Sequence, residues 1–382
     1  MKPLHLAFIT LALAITTLQS CSPEAEIVSL GIDDSYSIAR MRLLRLHPEY
    51  SGDSYTWTMP DREGNDSVIS RSRDLLFVGD TPGEYRVKLQ IADAQNPVTA
   101  TTRIAVWNEE VAYDPYITRC YEYRPAPGQF VNTLPQYEAG DDEASMAAKA
   151  EKSIAGTAGS LITLGGWGGY VTFGFDHTVV NRKDCNDFLI LGNSFISAPG
   201  DGGSAEPGIV MVSLDVNGNG RPDDPWYELA GSEYRNSATL HRYTVDYHRP
   251  AQPGDNIAWD DNRGNSGTID RNTFHTQPYF PQWLDAATLS FSGSRLPDNA
   301  VLQPSGQYLL YAYPWGYADN HPNNEPERCS FDIGNAVDDD GNPVNLPGAD
   351  FIRVYTGVNQ KCGAIGETST EIAGARDLHI AP

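Results

Sequence analysis

The stretch Thr81-Pro82-Gly83-Glu84-Tyr85-Arg86-Val87-Lys88-Leu89-Gln90-Ile91-Ala92-Asp93 opens on turn residues and then alternates. Tyr85, Val87, Leu89 and Ile91 fall on one side, and Arg86, Lys88 and Gln90 on the other. Successive side chains of a strand point to opposite faces, so a period of two predicts a strand with one buried face. The Pro-Gly pair fixes the turn that precedes it. Working outward, Tyr55 and Trp57 alternate with polar neighbours, Leu75-Leu76-Phe77-Val78 is a short apolar run, and Ile104, Val106 and Trp107 close the pattern. Residues 22–108 therefore read as a small β-sandwich.

The same signal returns beyond residue 158. Eight apolar runs, Leu161–Leu164, Tyr170–Phe175, Phe188–Leu191, Ile209–Leu214, Tyr243–Tyr247, Leu289–Phe291, Tyr308–Tyr313 and Phe351–Tyr355, are separated by long polar segments. The chain is thus expected to be all-β: the small N-terminal sandwich, then a larger jelly-roll-like sandwich over residues 158–382 with long loops. Between them, residues 109–157 form a Tyr- and Pro-rich linker and one short helix, Asp141–Ile154, with Asp141 as its expected N-cap. Segments 248–282 and 314–350 exceed usual loop lengths and are crowded with Trp, Tyr, Asn and Gly, a composition that suits function.

Charge narrows the partners. With 27 basic against 50 acidic side chains the net charge is -23, which repels polyanions over most of the surface and argues against nucleic-acid binding. Residues 1–20 have the zones of a secretory signal: Lys2, an apolar run from Leu4 to Ala14, and small or polar residues up to Ser20. Leu18-Gln19-Ser20-Cys21 resembles a bacterial lipobox, which implies acylation of Cys21 and attachment by lipid alone. Cys120, Cys185, Cys329 and Cys362 permit two disulfides in an exported protein, with free buried thiols as the alternative. No Cys-x-x-Cys spacing points to a thiolate zinc site.

The sharpest local motif runs from Asp215 to Asp224. Asp215, Asn217, Asn219 and Asp223 occupy positions 1, 3, 5 and 9 around Gly220 at position 6, the ligand spacing of an EF-hand-like calcium loop. Trp226 stands where the bidentate Glu would be, so a complete EF-hand is excluded and a polar turn is the competing reading. Asp338-Asp339-Asp340-Gly341-Asn342-Pro343 lacks that alternation and reads as a hairpin turn. Zincin, nucleophile-elbow and phosphate-loop motifs are missing, and His177 beside Asp176 reads as a satisfied rim histidine. What stands out is aromatic side chains in loops, which supply stiff apolar area for flat or bulky ligands. Trp167, Tyr170, Trp283, Trp315 and Tyr317 are the ligand-contact candidates.

Two resemblances add to these readings. The order Tyr-x-Trp, then Pro-Gly-Glu-Tyr-x-Val-x-Leu-x-Ile-x-Asp, resembles the PKD-like, immunoglobulin-like domains of bacterial surface proteins, which implies an immunoglobulin-like N-terminal sandwich that acts as a spacer. Residues 160–372 resemble the Bacteroidetes cell-surface lipoproteins that accompany vitamin B12 uptake. The strings are Gly168-Gly169-Tyr170-Val171-Thr172-Phe173-Gly174-Phe175, Asp187 to Phe195, Glu206 to Val212, Trp226 to Glu233 and Asp350 to Thr356. That resemblance implies an outer-membrane lipoprotein facing the exterior, without enzymatic activity, which binds cobalamin and hands it to a TonB-dependent transporter. A glycan-binding surface lipoprotein is the alternative, and a glycoside hydrolase the third reading, since two carboxylates across a cleft suffice for one.

Overall fold

The computed structural model describes residues 30–61, 64–93, 97–109, 111–157 and 159–381. The acylation expected at Cys21 lies outside them. No helix among the described residues is long and apolar enough to cross a membrane.

Alternation builds the first sandwich as expected. Strands β1 (Ser35–Ala39), β2 (Leu43–Leu46), β3 (Ser54–Pro60), β4 (Asp66–Ser70), β5 (Leu75–Val78), β6 (Gly83–Ala92) and β7 (Val98–Trp107) form a five-stranded sheet in the order β1-β7-β6-β3-β4 and a β2-β5 pair. Only β1 and β7 run parallel in that larger sheet. Val87, Leu89 and Ile91 of β6 point inward onto Trp57, Leu75, Phe77, Ile104 and Val106, while Arg86, Lys88 and Gln90 face out. The Trp57 ring is fully buried, and its Nε1–H donates to the carbonyls of Ser72 and Arg73, so its polar edge is satisfied inside the core.

The remaining chain is also built from strands. All eight apolar runs contain strand, and a six-stranded antiparallel sheet forms the largest layer. Its order is Ala336–Val337, Trp226–Leu229, Gly208–Ser213, Phe351–Thr356, Tyr170–Gly174 and β8 (Arg119–Arg124). A four-stranded antiparallel sheet, in the order Ser266–Ile269, Ile257–Asp261, Leu240–His248, Thr288–Arg295, packs against it. Aromatic rings fill the space between: Trp167 meets Tyr243 edge-on at 4.7 Å and Tyr355 at 6.4 Å, and Phe291 meets Tyr170 and Tyr247. The approach is close enough that a Cβ on Gly293 would sit 2.8 Å from the Tyr355 hydroxyl. The protein is therefore an all-β sandwich protein, with one α-helix among the described residues.

Two details differ from the sequence reading, and the cysteines follow its alternative. The helix, α1, spans Glu143–Ile154 and its N-cap is Asp142, whose carboxylate accepts the Ser145 N–H while Ser145 Oγ accepts the Asp142 N–H. Asp141 sits one residue outside and binds Lys149 instead. Segment 248–282 is no single loop, because Ile257–Asp261 and Ser266–Ile269 form a hairpin within it. The four cysteines at 120, 185, 329 and 362 are free thiols.

The linker touches both sandwiches. Tyr113 is buried with Met41 and Val180, and Arg40 lies 5.0 Å over its ring. Arg182 pairs with Asp80, and the Asn345 side-chain amide donates to the Ile69 carbonyl. These contacts tie the turn ends of the first sandwich to the second.

Candidate functional site

The five aromatic candidates separate sharply on burial. Trp167 is 1% exposed and donates its indole N–H to the Ser294 carbonyl. Trp283 is buried and stacks on Tyr123 and Tyr137. Tyr317 is buried, and its hydroxyl accepts the Glu233 N–H at 3.0 Å. Tyr170 is half-buried and committed to structure: the Arg353 guanidinium lies 4.4 Å over its ring and 4.3 Å over Trp226, and pairs with Glu122 at 2.6 Å. These four form no ligand platform. Large aromatic surfaces gain most from leaving water, so a folded chain places them in the core first.

Trp315 is different, with 48% of its surface exposed. It stands at a cleft of about 210 Å³ whose lining also includes Asn186, Leu229, Glu327, Asp332 and Asn335. Four further elements build this cleft around the Trp315 loop. Leu229 ends a strand of the large sheet, Asn186 precedes the Phe188–Leu191 strand, Glu327 lies in the 3-10 turn Pro326–Cys329, and Asn335 ends the 3-10 turn Ile333–Asn335. Backbone bonds lock them together, with Ala230 N–H donating to the Asn335 carbonyl and Ser232 N–H to that of Trp315.

The indole is held by its neighbours. Gly316 has φ +90°, a left-handed conformation, and a Cβ there would lie 2.5 Å from Gly231 Cα. Only glycine fits that close backbone crossing. Tyr317 then plunges beneath, its ring against Gly231. The cleft lining thus combines an indole with two amide side chains and two carboxylates, and carries no basic side chain. Asp332 Oδ1 accepts the Gly334 N–H, and burial pushes its carboxyl above the usual range.

The calcium-loop candidates do come together, on their own hydrogen bonds. The Asp215 carboxylate accepts the N–H groups of Asn219 and Gly220, and the side-chain amides of Asn217 and Asn219 donate to Asp223. Those amides hold the Asp223 carboxyl below its ordinary value. Trp226 continues into the large sheet. The 338–343 segment is a hairpin turn, with Asp338 accepting the N–H groups of Asp340 and Asn342 and Val337 bridging Pro343.

Two buried acidic networks join residues that lie far apart in the sequence. His177 is buried and bridges Asp176 at 2.7 Å and Asp377 at 2.9 Å, so it is satisfied as expected but lies inside rather than on the rim. Glu206, Asp319 and Glu371 bring their carboxylates within 4.8 Å of one another, and desolvation pushes Glu206 up to about 7 and the other two well above the usual range. Glu367, buried nearby, accepts the Gln129 N–H and is pushed up to about 8, mainly by desolvation. The cleft partners of Trp315 were equally hidden, because nothing at residues 186, 327, 332 or 335 marks them without the fold.

No protein-family model matches this chain, and no curated protein matches it. Among solved structures, a SusE-like protein aligns over 89% of this chain and 94% of its own, at 8% identity and a TM-score of 0.29. A quinonprotein alcohol dehydrogenase-like protein from Bacteroides thetaiotaomicron aligns over 74% of this chain and 66% of its own, at 11% identity and a TM-score of 0.17. A carbohydrate-binding module of the β-sandwich superfamily aligns over 89% of this chain and 91% of its own, at 12% identity and a TM-score of 0.15. Values this low define no family.

Proposed function

We propose that the protein is a lipid-anchored surface protein that binds a neutral saccharide in the Trp315 cleft. The observation that carries this is the half-exposed Trp315 indole in one cleft with Asn186, Glu327, Asp332 and Asn335. A sugar ring offers an apolar C–H face and a fringe of hydroxyls. The indole suits the first, and the amides and carboxylates accept or exchange hydrogen bonds with the second. With acids and no base in the lining, an anionic ligand is disfavoured. At about 210 Å³ the cleft is smaller than typical enclosed pockets of about 300–1,000 Å³, so it suits a terminal or side-branch sugar held at the surface.

For cobalamin, the ligand the B12-uptake resemblance implies, the support among these residues is a set of loop aromatics free to stack on a flat ring. Trp167, Trp283 and Tyr317 are buried, and Tyr170 is covered by Arg353, which removes that support. Delivery to a TonB-dependent transporter rests on the same resemblance alone. A panel of immobilised neutral glycans, probed with wild-type protein and Trp315→Ala, tests the proposal. Binding that disappears with Trp315 supports it; binding unchanged by the substitution places the site elsewhere.

A further inference from the structure

Beside the cleft lies a second cluster that sequence spacing conceals. Antiparallel pairing of Phe188–Leu191 with Gly374–Asp377 brings the 182–187 turn against the C-terminal segment. A sulfur of Cys185, a carboxylate oxygen of Asp187 and an imidazole nitrogen of His379 then lie within 4.8 Å of one another. Two of the three are firmly placed. The Asp187 side chain is fully buried: Oδ1 accepts the Arg182 N–H at 2.9 Å and meets His379 Nε2 at 2.8 Å, while Oδ2 accepts the Ile333 N–H at 2.9 Å. The His379 side chain is 5% exposed.

Cys185 is the exposed partner in this geometry, its thiol donating to the Arg182 carbonyl. It sits on an exposed turn, next to Asp184 with φ +61°, whereas Cys120, Cys329 and Cys362 are buried. The largest charge contributions at its thiol come from the carboxylates of Asp187, Asp332 and Asp184 and from the Arg182 guanidinium, which is itself paired with Asp80. Such a field attracts a cation. Thiolate, imidazole and carboxylate together are the donor set of zinc-class ions, softer than the all-oxygen shell of calcium.

We propose that Cys185, Asp187 and His379 form a binding site for a zinc-class divalent ion, with a fourth position open to solvent. Tetrahedral bonds of about 2.0–2.3 Å put donors roughly 3.3–3.8 Å apart, so closing the cluster takes a shift of about 1 Å, which the exposed Cys185 turn supplies. On loading, the Cys185 thiol releases its proton and the His379–Asp187 hydrogen bond gives way to the ion. The site ties the C-terminal segment to the turn that carries Asn186 into the Trp315 cleft. Asp332, another cleft residue, adjoins Ile333, whose N–H holds Asp187.

The test uses the full reduced chain titrated with cobalt(II) and with zinc(II) alone. Wild-type protein is expected to give a thiolate-to-cobalt charge-transfer band that saturates at one ion per chain and is bleached by zinc. Cys185→Ser, an exposed substitution that leaves the fold intact, is expected to lose the band and to weaken zinc binding at least tenfold. His379→Gln is expected to weaken binding similarly while Cys185 stays reactive to a thiol reagent in the presence of zinc. A wild-type chain without the band, or zinc binding equal in wild type and Cys185→Ser, overturns the proposal.

Discussion

At the scale of single residues, burial decides what an aromatic side chain does. Trp167 and Trp315 are the same residue in similar Gly-rich surroundings, yet one is 1% and the other 48% exposed. Trp167→Ala is expected to lower stability by about 3–5 kcal/mol, the usual range for emptying a buried aromatic site, as measured by urea unfolding. Trp315→Ala is expected to leave the unfolding midpoint within error while reducing saccharide binding at least tenfold. Gly316→Ala separates position from contact. It keeps the indole but forces a Cβ into Gly231 at φ +90°, so both the midpoint and the binding should fall.

At the scale of elements, periodicity was a sound guide wherever one face of a strand is apolar. β6 and β7 alternate in burial along their length, and the Phe188–Leu191 run is buried almost throughout. The hairpin of Ile257–Asp261 and Ser266–Ile269 escaped because only Ile257 and Ile269 at its base are buried, which leaves no alternation to read. The cap of α1 was misplaced by one residue because Asp141 and Asp142 are chemically equivalent until Lys149 claims one of them. The Asp215–Asp223 loop offers an element-scale test. Calcium would replace the amide donations to Asp223 with ion contacts, so millimolar calcium is expected to raise the melting temperature, and Asp215→Asn to abolish the rise. Equal melting curves with calcium and with chelator would leave the loop as a hydrogen-bonded turn.

At the scale of the whole molecule, buried acids set the pH response. Desolvation holds Glu367 up to about 8 and Glu228 up to about 7 in the folded chain, against an ordinary value of 4.5. The folded state therefore binds protons more tightly than the unfolded one, and stability falls as pH rises from 4.5 towards 8. Asp201 beside Arg328 and Asp270 beside Lys361 work oppositely: their lowered values add stability that is lost as pH falls below 3.8. Melting is expected to be highest near ~pH 5 and clearly lower at ~pH 8. Glu367→Gln should flatten part of that decline, and a melting temperature that rises from pH 5 to 8 would contradict the assignment.

The candidate site was only partly legible for a related reason. Trp315 is visible in the sequence as an aromatic loop residue, but Asn186, Glu327, Asp332 and Asn335 are ordinary polar residues that only strand pairing assembles around it. The measurement that bears most directly on the account is a parallel titration of the soluble chain with the strongest saccharide from the glycan panel and with cyanocobalamin, for wild type and Trp315→Ala. Saccharide binding is expected to be lost with the indole at an unchanged melting temperature, and corrinoid is expected not to bind. Tight one-to-one binding of cyanocobalamin, or saccharide binding indifferent to Trp315, would contradict it.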